Sequence, residues 1–188
     1  PLLSTFGAAS ARGFGNLSGI ILPSDSLWNT VSFLSHFDGA NNGVNNVFDD
    51  GSASNHTITA NGNVTQGSFG PFARPDGEWA VALDGTGDDL NTPDTSDFGF
   101  GTGAFTWEAW IYALDTTGVN SPYIFDFRGG GNTGNGSFYI NNTNSGRLEY
   151  YRGGAIQGNT NVPLNQWVHV ACVRSGTTVK LYQDGVEV

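Results

Sequence analysis

Residues 103–112 read Gly-Ala-Phe-Thr-Trp-Glu-Ala-Trp-Ile-Tyr, and large apolar side chains recur at every second position. Phe105, Trp107, Ala109 and Ile111 share one face of an extended strand, and Thr106, Glu108, Trp110 and Tyr112 share the other. A helix would need apolar residues three and four apart, so the period and the aromatic content predict a strand. Residues 165–174 repeat the pattern, with Val168, Val170 and Cys172 alternating against Trp167, His169, Ala171 and Val173. Both runs are apolar or aromatic on two faces. That predicts a paired, central position covered from both sides, with Trp107 and Trp167 in the core.

The same alternation predicts shorter strands over residues 28–37, 56–60, 79–83, 89–92, 123–128, 137–141, 147–152 and 155–157. Gly, Asn, Asp and Ser fill the stretches between them, and almost no helix is expected. Residues 179–182 and 186–188 flank Gln183-Asp184-Gly185, and Asp-Gly supplies the positive backbone torsions of a type I′ turn, so they predict a hairpin. Strands recurring about every 8 to 12 residues are what an antiparallel sandwich leaves in a sequence.

Several motifs now form an ordered series. They are Phe33-Leu-Ser-His-Phe-Asp-Gly39, Leu83-Asp-Gly-Thr-Gly-Asp-Asp-Leu90, Phe98-Gly-Phe-Gly-Thr-Gly-Ala-Phe105, Phe105-Thr-Trp-Glu-Ala-Trp-Ile-Tyr112, Trp167-Val-His-Val-Ala-Cys-Val-Arg174 and Val179-Lys-Leu-Tyr-Gln-Asp-Gly-Val-Glu-Val188. Together they resemble the laminin G-like, concanavalin A-like jelly-roll domains. The resemblance implies an all-β, antiparallel jelly-roll β-sandwich over residues 28–188, preceded by an extended arm over residues 1–27. It also implies a further strand or two, so the domain is expected to be incomplete at its C-terminus or completed by a partner's strand. The fold hosts lectins, adhesion modules, enzymes and packing domains, so function must come from a site.

Charge narrows the partners. Acidic residues number 17 against 7 basic, a formal charge of -10, which argues against nucleic acid or an anionic membrane as the main partner. No apolar run reaches the roughly 18 residues of a membrane helix. Charged residues are only 13% of the chain and Gly numbers 28, so the surface is expected to be neutral and polar, as in a secreted or particle-borne β-protein. The one cysteine, Cys172, lies in an apolar strand and reads as a buried free thiol.

Catalytic chemistry finds little support. Retaining glucanases of the resembled fold need two carboxyl groups about 5 to 5.5 Å apart. Glu78, Glu108, Glu149 and Glu187 each lack an acidic neighbour two residues along the strand. Glu108 is the best catalytic candidate but reads more readily as a hydrogen-bonded structural carboxylate. His36, His56 and His169 show no zinc spacing, and His169 reads as a packed core histidine. The chain is therefore expected to be no enzyme and to require no cofactor. Calcium is the one optional ion, because Asp-rich loops precede the central strand and calcium takes roughly six to eight oxygen ligands. Asp49 and Asp50 are the first candidates and Asp88 and Asp89 the second, against a plain turn-forming role. Sugar binding would use aromatic rings beside polar loops, and Tyr139, Tyr150, Tyr151 and Arg152 are the candidates, against ordinary cross-strand packing.

Residues 1–27 are rich in Gly, Ala and Ser with scattered aromatics, and cannot form a core of their own. They read either as a disordered leader or as a docking arm whose Phe6, Phe14, Leu17, Ile20 and Ile21 are buried only against a partner. Phe6-Gly-Ala-Ala-Ser-Ala-Arg-Gly-Phe-Gly15 resembles a phrase of bacteriophage structural proteins. That resemblance implies a virion component, in a tail fibre, tail or head decoration, docked through the arm to other virion proteins in a homo-oligomer or larger assembly. The jelly roll would then face outward at the virion surface and bind host glycan. The alternative is a carbohydrate-binding module of an extracellular bacterial protein.

Overall fold

The computed structural model describes residues 27–38, 44–72, 79–116, 121–128, 136–144 and 146–188. The expected arm, with Phe6, Phe14, Leu17, Ile20 and Ile21, lies outside them. The strands formed are β1 (Thr59–Asn61), β2 (Thr65–Gly67), β3 (Ala80–Ala82), β4 (Asp89–Asn91), β5 (Phe105–Tyr112), β6 (Tyr123–Asp126), β7 (Ser137–Asn141), β8 (Arg147–Tyr151), β9 (Ala155–Asn161), β10 (Trp167–Ser175), β11 (Thr178–Gln183) and β12 (Val186–Glu187). Helical structure among the described residues is confined to short 3-10 turns at Trp28–Thr30, Ser96–Phe98 and Asn142–Asn144. None of it is long and apolar enough to cross a membrane.

Two antiparallel sheets carry the core. One runs β12-β11-β10-β5 and the other β6-β7-β8-β9, and the small pairs β1-β4 and β2-β3 stand apart. β5 and β10 pair from Trp167 opposite Tyr112 to Arg174 opposite Phe105, so the two strongest alternating runs are direct neighbours. Their inward residues Phe105, Trp107, Val168, Val170 and Cys172, with Leu181 of β11, meet Phe138, Ile140, Leu148 and Tyr150 of the other sheet. Fully burying one such side chain contributes about 1.5–3 kcal/mol, so this interface is the main source of stability. The Phe105 and Trp107 rings stack at 4.3 Å, and Trp107 also touches Phe127 at 4.9 Å and Phe100 at 5.3 Å. Asp184 and Gly185 adopt φ of 47° and 78°, the torsions expected of the β11–β12 hairpin. This is the antiparallel sandwich that the pattern predicts and the jelly roll that the resemblance implies.

Several expectations are corrected. No strand forms over residues 28–37: after the first 3-10 turn the chain pairs with no strand and bends at Phe37, whose φ is 57°. The Asp50 carboxylate takes the Leu34 N–H at 2.9 Å and Gly51 N–H donates to the Leu34 carbonyl at 2.6 Å, so a loop supplies the bonds that a neighbouring strand would. The outer face of β5 and β10 is only partly covered. Glu108 is exposed, Trp110 keeps 41% of its surface, and Trp167 is half-buried. Phe72 packs on Trp110 at 5.3 Å and Phe69 on Tyr112 at 5.0 Å, which shields part of this face from outside. His169 is on that face too, 3.5 Å from Glu108 and 5.4 Å from the Trp110 ring, and not in the core. Glu108 is thus an exposed carboxylate beside His169.

Candidate functional site

The outer face of the β6-β7-β8-β9 sheet carries a different set of groups. Alternation turns Phe138, Ile140, Leu148 and Tyr150 inward, so Tyr139, Asn141, Arg147, Glu149 and Tyr151 take the other face, where Ser137 is fully buried. Register then aligns Tyr123, Tyr139, Glu149 and Gln157 across all four strands. Asn141, Arg147 and Asn161 form the next row.

Glu149 is the hub. Only 5% of it is exposed, an unusual state for a carboxylate on the outside of a sheet. The Tyr139 hydroxyl donates to Oε1, while Asn141 Nδ2 donates to Oε2 at 2.6 Å and Gln157 Nε2 at 3.0 Å. Three donors from the two flanking strands thus satisfy one carboxylate, which fixes the rotamers around it. Burial, then the bond to Glu149 and its charge, push the Tyr139 phenol well above its ordinary value of 10.0. At the edge, Tyr123 lies against Tyr139 at 5.0 Å and keeps 46% of its surface exposed. Arg128 stacks 4.8 Å over the Tyr123 ring and grips Asp126 through Nε at 2.8 Å and Nη2 at 2.6 Å. That bidentate contact raises the guanidinium pKa and, against burial, lowers that of Asp126. The face therefore offers ring surface at its edge and an ordered field of amides and hydroxyls behind it.

The expected sugar residues do not form one surface. Tyr139 and Tyr151 face outward on adjoining strands, but Tyr150 points into the core between Trp107 and Phe105, so its ring cannot stack on a ligand. Arg152 turns to the opposite end of the sandwich edge, where Nη1 donates to the Gly101 carbonyl at 2.6 Å. Tyr123, Glu149 and Gln157 were not expected as site residues.

The aspartates proposed for calcium lie in two places, each occupied by protein donors. Asp50 accepts from the N–H groups of Leu34, Ser52 and His56 and from the Ser52 hydroxyl. Asp49 is exposed beside it. Asp88 accepts from Asn63 and Asp84 N–H at 2.9 and 2.8 Å, and Asp89 from the amides of Asn61 and Asn91 at 2.8 and 2.5 Å. Among the described residues, no three Asp, Glu, His or Cys side chains gather to hold an ion.

Two antiparallel sheets packed face to face, with a polar, aromatic-edged outer face on one of them, define a lectin-like β-sandwich. The chain belongs to the Concanavalin A-like lectin/glucanases superfamily, whose family pattern matches residues 84–188. The match begins at Asp84, so the Phe33–Gly39 motif lies ahead of it. Neither a curated protein nor a solved structure matches the chain.

Proposed function

We propose that the chain is a non-enzymatic glycan-binding module, displayed on a bacteriophage virion and anchored there through residues 1–27. The observation that carries the glycan reading is the Tyr123-Tyr139-Glu149-Gln157 row, an aromatic edge joined to a preorganised polar network on one sheet face. Sugar rings stack on aromatic faces while their hydroxyls exchange hydrogen bonds with amides and carboxylates held in place beforehand. Two facts favour binding over hydrolysis. Glu108 and Glu149 are on the outer faces of opposite sheets, which pack about 10 Å apart, so they cannot converge on one glycosidic bond. Glu187 is engaged with Lys180 at 2.7 Å. The virion assignment is supported by the phage-like phrase at Phe6–Gly15 and by the sparsely charged, Gly-rich composition.

A glycan array probed with the full chain tests the first part, with Tyr123→Ala and Gln157→Ala abolishing the signals of wild type. Binding unchanged in both variants would move the site elsewhere. Particle proteomics tests the second part. Deleting residues 1–27 should remove the protein from particles and leave the sandwich folded, whereas wild-type incorporation, or detection only as free protein in the medium, would refute the docking role.

A further inference from the structure

A second feature lies at the end of the sandwich, away from the outer-face row. Where the turns after β8 and β10 approach the segment before β5, a groove of about 570 Å³ opens, lined by Thr102, Tyr150, Arg152, Ile156, Arg174 and Val179 among others. Its size is that of an ordinary small-ligand cleft. Two of the chain's 7 basic residues converge there, and the lining contains no carboxylate.

Both guanidiniums are built in. Arg174, only 7% exposed, stacks 4.8 Å over the Phe105 ring and donates to the carbonyls of Phe100, Gly101 and Gly103. Arg152 shares the Gly101 carbonyl. Tyr150, 4% exposed, lines the same groove with its hydroxyl within reach of Arg152, and that hydroxyl makes no hydrogen bond of good geometry. Burial raises its pKa, and both arginines are close enough to pull against that rise. Arginine can only donate, and a buried phenol beside two cations is best satisfied by donating as well. What the groove lacks is an acceptor, and a buried polar group left without one calls for a partner, which in an open cationic groove an anionic ligand can supply. Ile156 and Val179 supply an apolar wall alongside.

We propose that this groove binds the carboxylate of an acidic saccharide, the Tyr150 hydroxyl and Arg152 contacting the oxyanion, Arg174 supplying fixed positive charge, and Ile156 and Val179 lying against the sugar ring. Only the saccharide carrier rests on the glycan-binding reading above; the oxyanion site stands on different residues.

The test is calorimetry on the full chain at low salt with three probes: a tetramer of galacturonic acid, the same tetramer fully methyl-esterified, and inorganic sulfate. The free acid is expected to bind at least about ten-fold more tightly than the neutral ester, as loss of a charge-assisted contact implies. Tyr150→Phe should weaken the acid by about five-fold or more while leaving the melting temperature equal or higher, because it removes a buried hydroxyl that makes no hydrogen bond of good geometry in the free protein. A purely structural tyrosine would behave the opposite way. Arg152→Gln should weaken it further, and Tyr123→Ala, on the outer face, should leave it unchanged. Equal affinity for acid and ester, wild-type affinity in Tyr150→Phe, or loss in Tyr123→Ala would each overturn the site. Sulfate matching the acid tetramer would overturn the saccharide assignment.

Discussion

Tyr139 and Glu149 stand directly opposite each other on β7 and β8, and the phenol donates its hydrogen bond to the carboxylate. The bond exists only while Tyr139 is protonated. Since the folded-state phenol is pushed above 10.0, its contribution is fully present below that value and is lost as pH rises through the higher folded value. Chemical denaturation from pH 7 upward should therefore show wild type losing stability above about pH 10, with Tyr139→Phe about 1–2 kcal/mol weaker at pH 7 and flatter in the alkaline range. Parallel alkaline limbs for the two proteins would show that the pair carries no stability.

The two tryptophans that alternation treats alike should respond differently. Trp107 is sealed between Phe105, Phe127 and Tyr150, and Trp107→Ala is expected to cost about 3–5 kcal/mol. Trp167 is on the partly covered outer face against Phe69 and Tyr112, so Trp167→Ala should cost about 1–2 kcal/mol. Equal losses in urea titrations would mean that the outer face is as well packed as the core.

How far the sequence could be read depends on whether one face of an element is apolar. β5, β7, β8 and β10 alternate strongly, and their existence and pairing partners follow from that. β9 runs Ala155–Asn161, but among its residues only Gly158 is buried, and an edge strand of Asn, Thr and Gln has no apolar face to announce its last four residues. The early segment failed for another reason, since alternating Val31 and Phe33 promised a strand, whereas the Asp50 side chain takes the Leu34 N–H that a neighbouring strand would. For the site, period two alone puts Tyr150 and Tyr151 on opposite faces, so their joint assignment to one surface was correctable from sequence. That Glu149 meets Tyr139, Asn141 and Gln157 was not, because cross-strand register depends on pairing that no single strand's pattern specifies. The end groove was only half legible: Tyr150 and Arg152 were sugar candidates, but their meeting with Arg174 and Val179 depends on two separate hairpins coming together.

Cys172 is fully buried and unpaired, as its strand context predicts, and burial pushes its thiol up to about 12. Thiolate is the reacting form, so two barriers oppose modification. The native protein should leave a thiol-reactive chromogenic disulfide unconsumed at neutral pH and react stoichiometrically once denatured. Rapid labelling under native conditions would mean that the β5–β10 core opens locally.

The last prediction concerns Asp50, which ties the unpaired early segment to the rest of the domain. It is 3% exposed, and although burial would raise its pKa, the N–H groups of Leu34, Ser52 and His56 and the Ser52 hydroxyl outweigh that and hold it below its ordinary 3.8. Asp50→Asn keeps the shape but turns an amide NH2 toward groups that are themselves donors. The expected cost is about 1–3 kcal/mol at pH 7, the penalty for leaving such donors unmet. The sign with pH follows from the lowered value: the carboxylate's contribution is complete above 3.8 and is lost as pH falls through the lower folded value. Wild type should therefore surrender its advantage over Asp50→Asn in that acid window, and the two urea midpoints should approach each other there. A gap that stays constant from neutral pH into strong acid would show that Asp50 acts by shape alone and not as an anion receiving four hydrogen bonds.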